Sequence, residues 1–166
     1  MGKEITHGMI DIHSAPRALC PHIEWAASGI LGVRIALDWA VQPAGYNVVR
    51  ASWRWQAVQG TGARLASALR GWDRLRYDIT EDASAGSDGG RWSHTPALGI
   101  FYAQTDVHGN IVVPEDRVKA AFIAGMNLTQ MRAALDLALG SAWDEELEPF
   151  RQASEGAPVR WLHRAS

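Results

Sequence analysis

Four stretches between His7 and Thr80 alternate apolar and polar residues with a period of two, and the gaps between them are not all alike. Gly8, Ile10 and Ile12 alternate with Met9, Asp11 and His13; Val33, Ile35, Leu37 and Trp39 with Arg34, Ala36 and Asp38; Val49, Ala51, Trp53 and Trp55 with Arg50, Ser52 and Arg54; and Leu75, Tyr77 and Ile79 form the fourth set. Period-two alternation is the mark of a strand with one buried face. The first and second stretches are separated by a helical stripe, Leu19, Ile23, Ala26 and Ile30, as are the third and fourth by Leu65 and Leu69. Only the turn QPAGYN lies between the second and third. The order strand, helix, strand, strand, helix, strand predicts an α+β fold with a ferredoxin-like βαββαβ core over residues 7–80. Right-handed crossovers then give an antiparallel sheet in the order 4-1-3-2, both helices on one face. The opposite face would carry Asp11, His13, Arg34, Asp38, Arg50, Ser52, Arg54, Arg76 and Asp78, and such a face calls for water, a ligand or more protein against it.

Local signals set the limits of these elements. Ser14 is a candidate cap, and Pro16 and Pro21 favour the first turn of a helix, so the first helix starts near Cys20 or Pro21 and Gly32 ends it. Gly60-Thr61-Gly62 opens the second helix and Gly71 stops it. DASAGSDGG, residues 82–90, reads as a loop, and Trp92 to Pro96 as a polar approach to the next strand. Leu98 to Gln104 and Ile111 to Val113 flank TDVHGN, an added β-hairpin with Gly109 or Asn110 at positive φ. Pro114-Glu115-Asp116 begins a third helix with Val118, Ala121 and Phe122 inward, and Asn127 or Thr129 a fourth, striped by Met131, Leu135 and Ala138 and stopped by Gly140. Ser141 and Asp144 have capping-box spacing ahead of Trp143, Leu147 and Phe150, with Pro149 limiting that last helix. PVRWLHRAS adds an edge strand or stays loose. The whole, residues 1–166, is read as one domain, with 91–166 a hairpin and helical extension of the core.

Composition narrows the function classes. A net charge of -2 and a pI near 6.3 argue against a protein whose main task is neutralising phosphates. One cysteine forms no internal disulfide, and MGKEITHGMIDIHS carries no apolar leader or spanning stretch, so a cytoplasmic protein is expected. Eight tryptophans point to a well-packed core or an aromatic binding surface.

Three sets of residues have chemistry to offer. His13, Cys20, His22 and Glu24 combine imidazole, thiol and carboxylate, and His13 beside Cys20 or His94 would make an acid, base or nucleophile. Cys20 and His22 diverge by about 200° on a helix, however, and no CxxC or HxxxH pair supports a metal, so no metal and no cofactor are expected. Thr61, Gly62 and Arg64 form a glycine-rich helix start with a guanidinium in its first turn, which suits a phosphate or carboxylate. Leu65 takes the place of the third glycine of a dinucleotide fingerprint, and a Walker lysine is missing. Arg50 and Arg54 lie on the outer sheet face, where RNA-recognition domains stack bases, but the alternation turns Trp53 and Trp55 away from it. His94, Asp106 and His108 lie around the hairpin; Asp106 and His108 fit turn chemistry without any function, and His94 joins His13 only if the hairpin folds back over the first strand.

HSAPRALCPHIEWA, GTGARLASALRGW, SHTPALGIFYA and DVHGNIVVPEDR together resemble a conserved actinobacterial family, a domain of unknown function, over nearly the whole chain. That resemblance implies no activity and transfers no catalytic residue. The expected function is a small, non-catalytic binding or regulatory module for a partner protein or an anionic small molecule, with homo-oligomerisation open and neither membrane nor nucleic acid as partner. The competing expectations are a small enzyme using His13 with Cys20 or His94, and a structural subunit of a larger complex.

Overall fold

The computed structural model of the protein describes residues 4–123 and 127–154. Seven strands form one open antiparallel sheet: β1 (Ile5–Pro16), β2 (Ala40–Val41), β3 (Val48–Val58), β4 (Arg76–Glu81), β5 (Gly89–Thr95), β6 (Gly99–Thr105) and β7 (Ile111–Val112), in the spatial order β2-β3-β1-β4-β5-β6-β7. Five helices complete the α+β architecture: α1 (Cys20–Leu31), α2 (Thr61–Leu69), α3 (Glu115–Ile123), α4 (Leu128–Leu139) and α5 (Ser141–Gln152).

Helices α1 and α2 close one face. Ile10, Ile12, Ala51, Trp55, Tyr77 and Ile79 meet Ile23, Ala27, Leu65 and Leu69 there, all buried in one cluster. The start of α2 is fitted to the sheet by a ring: a Cβ on Gly62 would stand 2.7 Å from Trp92 Cζ3, and one on Gly90 would stand 2.5 Å from Trp92 Cη2. The indole lies in a slot that only glycines at both walls leave open. The opposite face is covered by α5 along β5 and β1, with Leu147 fully buried and Trp143 packed on Phe101 at a centroid distance of 5.1 Å.

Several expectations are corrected. Val33 to Trp39 is not a strand: Ile35 and Leu37 are buried as the alternation requires, but the N–H of Ile35 donates to Ser28 Oγ and that of Leu37 to Glu24 Oε1, each at 2.9 Å. Side chains of α1 take the donors a ladder would use, so pairing with β3 is confined to Ala40 and Val41. Arg34 and Asp38 therefore do not join the outer sheet face. Ser14 caps nothing, because β1 runs on to Pro16 and a short 3-10 turn, Arg17–Leu19, leads into α1. Trp92 to Thr95 belongs to a central strand, its polar alternate residues Arg91, Ser93 and Thr95 being buried under α5. Phe122 is exposed, not inward. Ser141 and Asp144 form no capping box, since Gly140 at φ 71° occupies the N-cap and the Asp144 carboxylate is spent elsewhere; Pro149 sits inside α5, which continues to Gln152. Gly109 has the expected positive φ, 80°, and Asn127 makes a full capping box with Gln130. The tail PVRWLHRAS lies outside the described residues.

Candidate functional site

The most concentrated chemistry in the molecule sits between the sheet and α5, and it begins with a bulge. β1 pairs Ile12 with Tyr77 and Ser14 with Arg76, so His13 is the extra residue. Bulges re-aim side chains, and this one turns the imidazole onto β4, where its Nε2 lies 2.8 Å from Asp78 Oδ2. Ser93 of β5 donates to Asp78 Oδ1 at 2.5 Å. From α5, Arg151 donates to Asp78 Oδ2 through Nε at 2.9 Å and Nη2 at 2.7 Å, and to Asp144 Oδ1 through Nη1 at 2.8 Å. Arg91 Nη2 donates to the same Asp144 oxygen at 2.5 Å. Two guanidinium groups thus face two carboxylates, and Asp78, Arg91, Arg151 and His13 are all buried.

Electrostatics follow from that geometry. Burial alone would push the Asp78 carboxyl up, but the His13 hydrogen bond and the charges of Arg151, His13 and Arg91 outweigh it and hold the group well below the usual carboxylate range. Burial acts on Arg151 in the opposite sense, and Asp78 and Asp144 overcome it, so the guanidinium is more firmly protonated than usual. Asp78 also stands directly across from Asp11 in the β1–β4 ladder, a like-charge opposition that the two arginines offset. Asp11 itself accepts from Ser52 Oγ at 2.6 Å.

Serine, histidine and aspartate are together here, yet they do not form a nucleophile with its base. A catalytic serine gives its proton to the imidazole, whereas Ser93 Oγ and His13 Nε2 both address Asp78. Cys20 and His94 do not join them. His94 pairs with Tyr77 on the helix-bearing face, stacked on its ring at 5.0 Å with Nδ1 2.8 Å from Leu75 O, while His13 points to the other face. Cys20 begins α1, and its thiol is pushed up by burial and then by Glu24, against the pull of Arg17, which leaves it a poor nucleophile. His22 lies near Trp72, and Glu24 accepts from Leu37 N and Trp39 Nε1. Among the described residues there is no group of three or more His, Cys, Asp or Glu side chains able to hold a metal ion.

The start of α2 already holds an anion. Glu81 on β4 accepts from Gly60 N at 2.8 Å and from Gly62 N at 2.7 Å, so the N–H groups expected to receive a phosphate are taken by the protein's own carboxylate. Thr61 Oγ1 donates to Val58 O at 2.6 Å, and Arg64 is exposed. Arg54 is exposed and Arg50 half-buried on the outer face of β3, away from α2; the residues expected to bind a ligand together lie on opposite sides of the sheet. Trp53 and Trp55 face the helices as their alternation requires, and Trp55 is buried.

Both helices of the α3–α4 hairpin were expected; what the sequence reading missed is that they leave large apolar side chains exposed. The hairpin's principal neighbours are its own two helices and α5, not the sheet. Phe122, Ile123, Leu128 and Leu137 are 63, 82, 82 and 63% exposed. Between the helices runs an apolar groove of about 370 Å³ lined by Val113, Ala120, Ala121, Ala134, Leu137 and Ala138 among others. The stripe Met131, Leu135, Ala138 was legible; that Leu128 and Leu137, on opposite sides of the helix, fall outside it was the available signal. Asp144, Leu147 and Arg151, spaced along one side of a helix, were likewise the trace of the α5 seat.

Fold and site together define an α+β protein in which a buried cluster of His13, Asp78, Arg91 and Arg151 with Asp144 holds a helix to a sheet and a helical hairpin exposes large apolar side chains. The chain belongs to the DUF3145 family of proteins of unknown function, whose family model matches residues 9–164. Comparison with curated proteins and with solved structures gives no match. Among the described residues no helix is long and apolar enough to cross a membrane.

Proposed function

We propose that the chain is a small, non-catalytic binding module that docks protein through the α3–α4 hairpin. The observation that carries this reading is the set of large apolar side chains, Phe122, Ile123, Leu128 and Leu137, that the described residues leave exposed on those two helices, beside a buried cluster in which Asp78 and Arg151 are paired with one another. Large apolar surface left exposed on a protein marks an interaction site. The anion version of the reading loses its support at α2, where Glu81 fills the place.

The scaffold for this module is read as a ferredoxin-like core built from β1, α1, β2, β3, α2 and β4. The antiparallel order β2-β3-β1-β4 and the packing of α1 and α2 on one face support it. A cytoplasmic, actinobacterial setting agrees with the single cysteine and with the sequence resemblance. The test is capture from a native lysate by tagged wild-type chain and by its Leu128→Asp variant in parallel. A protein retained by the first and lost by the second is the expected result; identical captures would overturn the reading.

A further inference from the structure

We propose that the recess between the start of α2 and the aromatic rings of β5 and β6 binds a small organic cation, a methylated or quaternary ammonium group. It lies on the helix-bearing side of the sheet and stands independently of the docking reading. Trp92 and Tyr102 are directly opposed in the β5–β6 ladder, their ring centroids 5.1 Å apart and their planes tilted by 32°. A Cβ on Gly90 would stand 2.5 Å from Trp92 Cη2 and 3.2 Å from Tyr102 Cε2, so both rings border the space that the missing side chain leaves. That space belongs to a hollow of about 380 Å³ whose other walls include Gln59 and Ala63 at the start of α2 and Asp88 before β5. The volume suits a small ligand, and Tyr102, at 54% exposure, keeps much of its ring open to one.

Charge decides the class of ligand. The lining carries the carboxylates of Glu81 and Asp88 and, among the described residues, no lysine, arginine or histidine. Arg64, on the next turn-facing position of α2 after Ala63, is exposed and outside the lining. An anion would meet two carboxylates and the negative faces of two rings, whereas a cation is attracted by both. The positive end of α2 does not oppose a cation, because Glu81 already accepts from Gly60 N and Gly62 N. Asp88 remains at the rim, exposed, accepting from Gln104 Nε2 and with further acceptor capacity.

Methylation follows from the shortage of acceptors. A bare ammonium brings three donors that each need a partner, and rings beside a glycine do not supply them. A methylated head has few donors or none, and rests its methyl groups on the rings. A free metabolite and a methylated lysine side chain both present that group, and the experiment distinguishes them.

The isotope-labelled full chain is titrated at constant ionic strength with choline, with a peptide bearing trimethyl-lysine, and with the uncharged analogue of choline that has a tert-butyl group in place of the trimethylammonium, and is followed by NMR. Saturable shifts at the Gly90 amide and the Trp92 indole N–H with one or both cations, in the millimolar range, are expected, with the uncharged analogue about 10-fold weaker. Tyr102→Leu keeps apolar bulk but removes the ring face, and is expected to weaken the cation about 5-fold; Asp88→Asn, at an exposed acid, weakens it about 3-fold. Signals of β1 and β3 unchanged from wild type show each variant to be folded. Tighter binding of the peptide assigns the site to a methylated protein, and tighter or equal binding of choline to a free metabolite. No shift at Gly90 or Trp92 with either cation, an uncharged analogue that binds as well as choline, or an affinity that neither substitution lowers overturns the proposal.

Discussion

Asp78 accepts from His13, Ser93 and Arg151 at once, and the reason a buried carboxylate tolerates that position is the reason its loss should be severe. Replacing a buried ion pair wholesale by apolar residues is often neutral, but removing one partner leaves the other charge unpaired in a low-dielectric setting. Asp78→Ala takes from Arg151 two of its three hydrogen bonds, leaving it only Asp144, and takes from Arg91 the carboxylate 3.7 Å from its Nε, an atom that already lacks a hydrogen-bond acceptor. Urea unfolding at neutral pH is predicted to show a loss of about 3–5 kcal/mol; a loss below about 1 kcal/mol, the level of an exposed pair, would contradict the burial and geometry described. The same carboxyl sets a pH dependence. Its folded pKa lies below its unfolded value of about 3.9, so its stabilisation is present above that unfolded value and is lost as pH falls through the folded one. Stability of the wild type is predicted to fall from about pH 5 downward, and Asp78→Asn to show a shallower fall, measured as urea midpoints from pH 6 to pH 2. Equal slopes would remove Asp78 as the source.

Helix α2 is held by the protein's own Glu81 and α5 by the buried charge cluster. Glu81 supplies acceptors for two N–H groups at the start of α2. Glu81→Ala is predicted to cost about 1–2 kcal/mol by leaving those donors without acceptors, with protection from amide exchange lost first in residues 60–65. Added phosphate that restores the Glu81→Ala protein would show the empty place to be an anion site in its own right; no restoration is expected with Glu81 intact. How much of this was legible varies with the kind of signal. β1, β3, β4, α1 and α2 were readable because each declares itself through a local period and a local stop, such as Gly32 at φ 70°. β5 was not, because Arg91, Ser93 and Thr95 look like a solvated face and are in fact buried by a helix about fifty residues later in the sequence. Val33 to Trp39 misled for the converse reason: the alternation records burial correctly, but burial does not say whether a ladder or the side chains of Glu24 and Ser28 receive the backbone N–H groups. The predicted pairing of His13 with Cys20 or His94 is not what the fold brings together: His13 meets Asp78 on one face and His94 stacks on Tyr77 on the other, and spacing along the chain does not encode which strands are neighbours.

Among the described residues, the sheet is closed on one face by α1 and α2 and covered in part on the other by α5 along β5 and β1, and α3–α4 stands apart from it. Gly140 is the corner that sets this hairpin: at φ 71° it turns α4 into α5, and its Cβ would stand 2.5 Å from Phe101 Cε1. Gly140→Ala is predicted to shift or destabilise the corner by about 1–3 kcal/mol through overpacking and a left-handed backbone, and so to weaken docking without touching a docking residue. The buried cluster and the docking face are then parts of one arrangement, since Asp144 and Arg151 fix α5 and α5 carries the hairpin. The measurement that bears most directly on the docking face is hydrogen–deuterium exchange of the intact chain alone and with the protein it captures from lysate. Added protection in α3 and α4, with β1 to β7 unchanged, is the predicted result; protection that appears on the outer face of β3, or on no element at all, would contradict it.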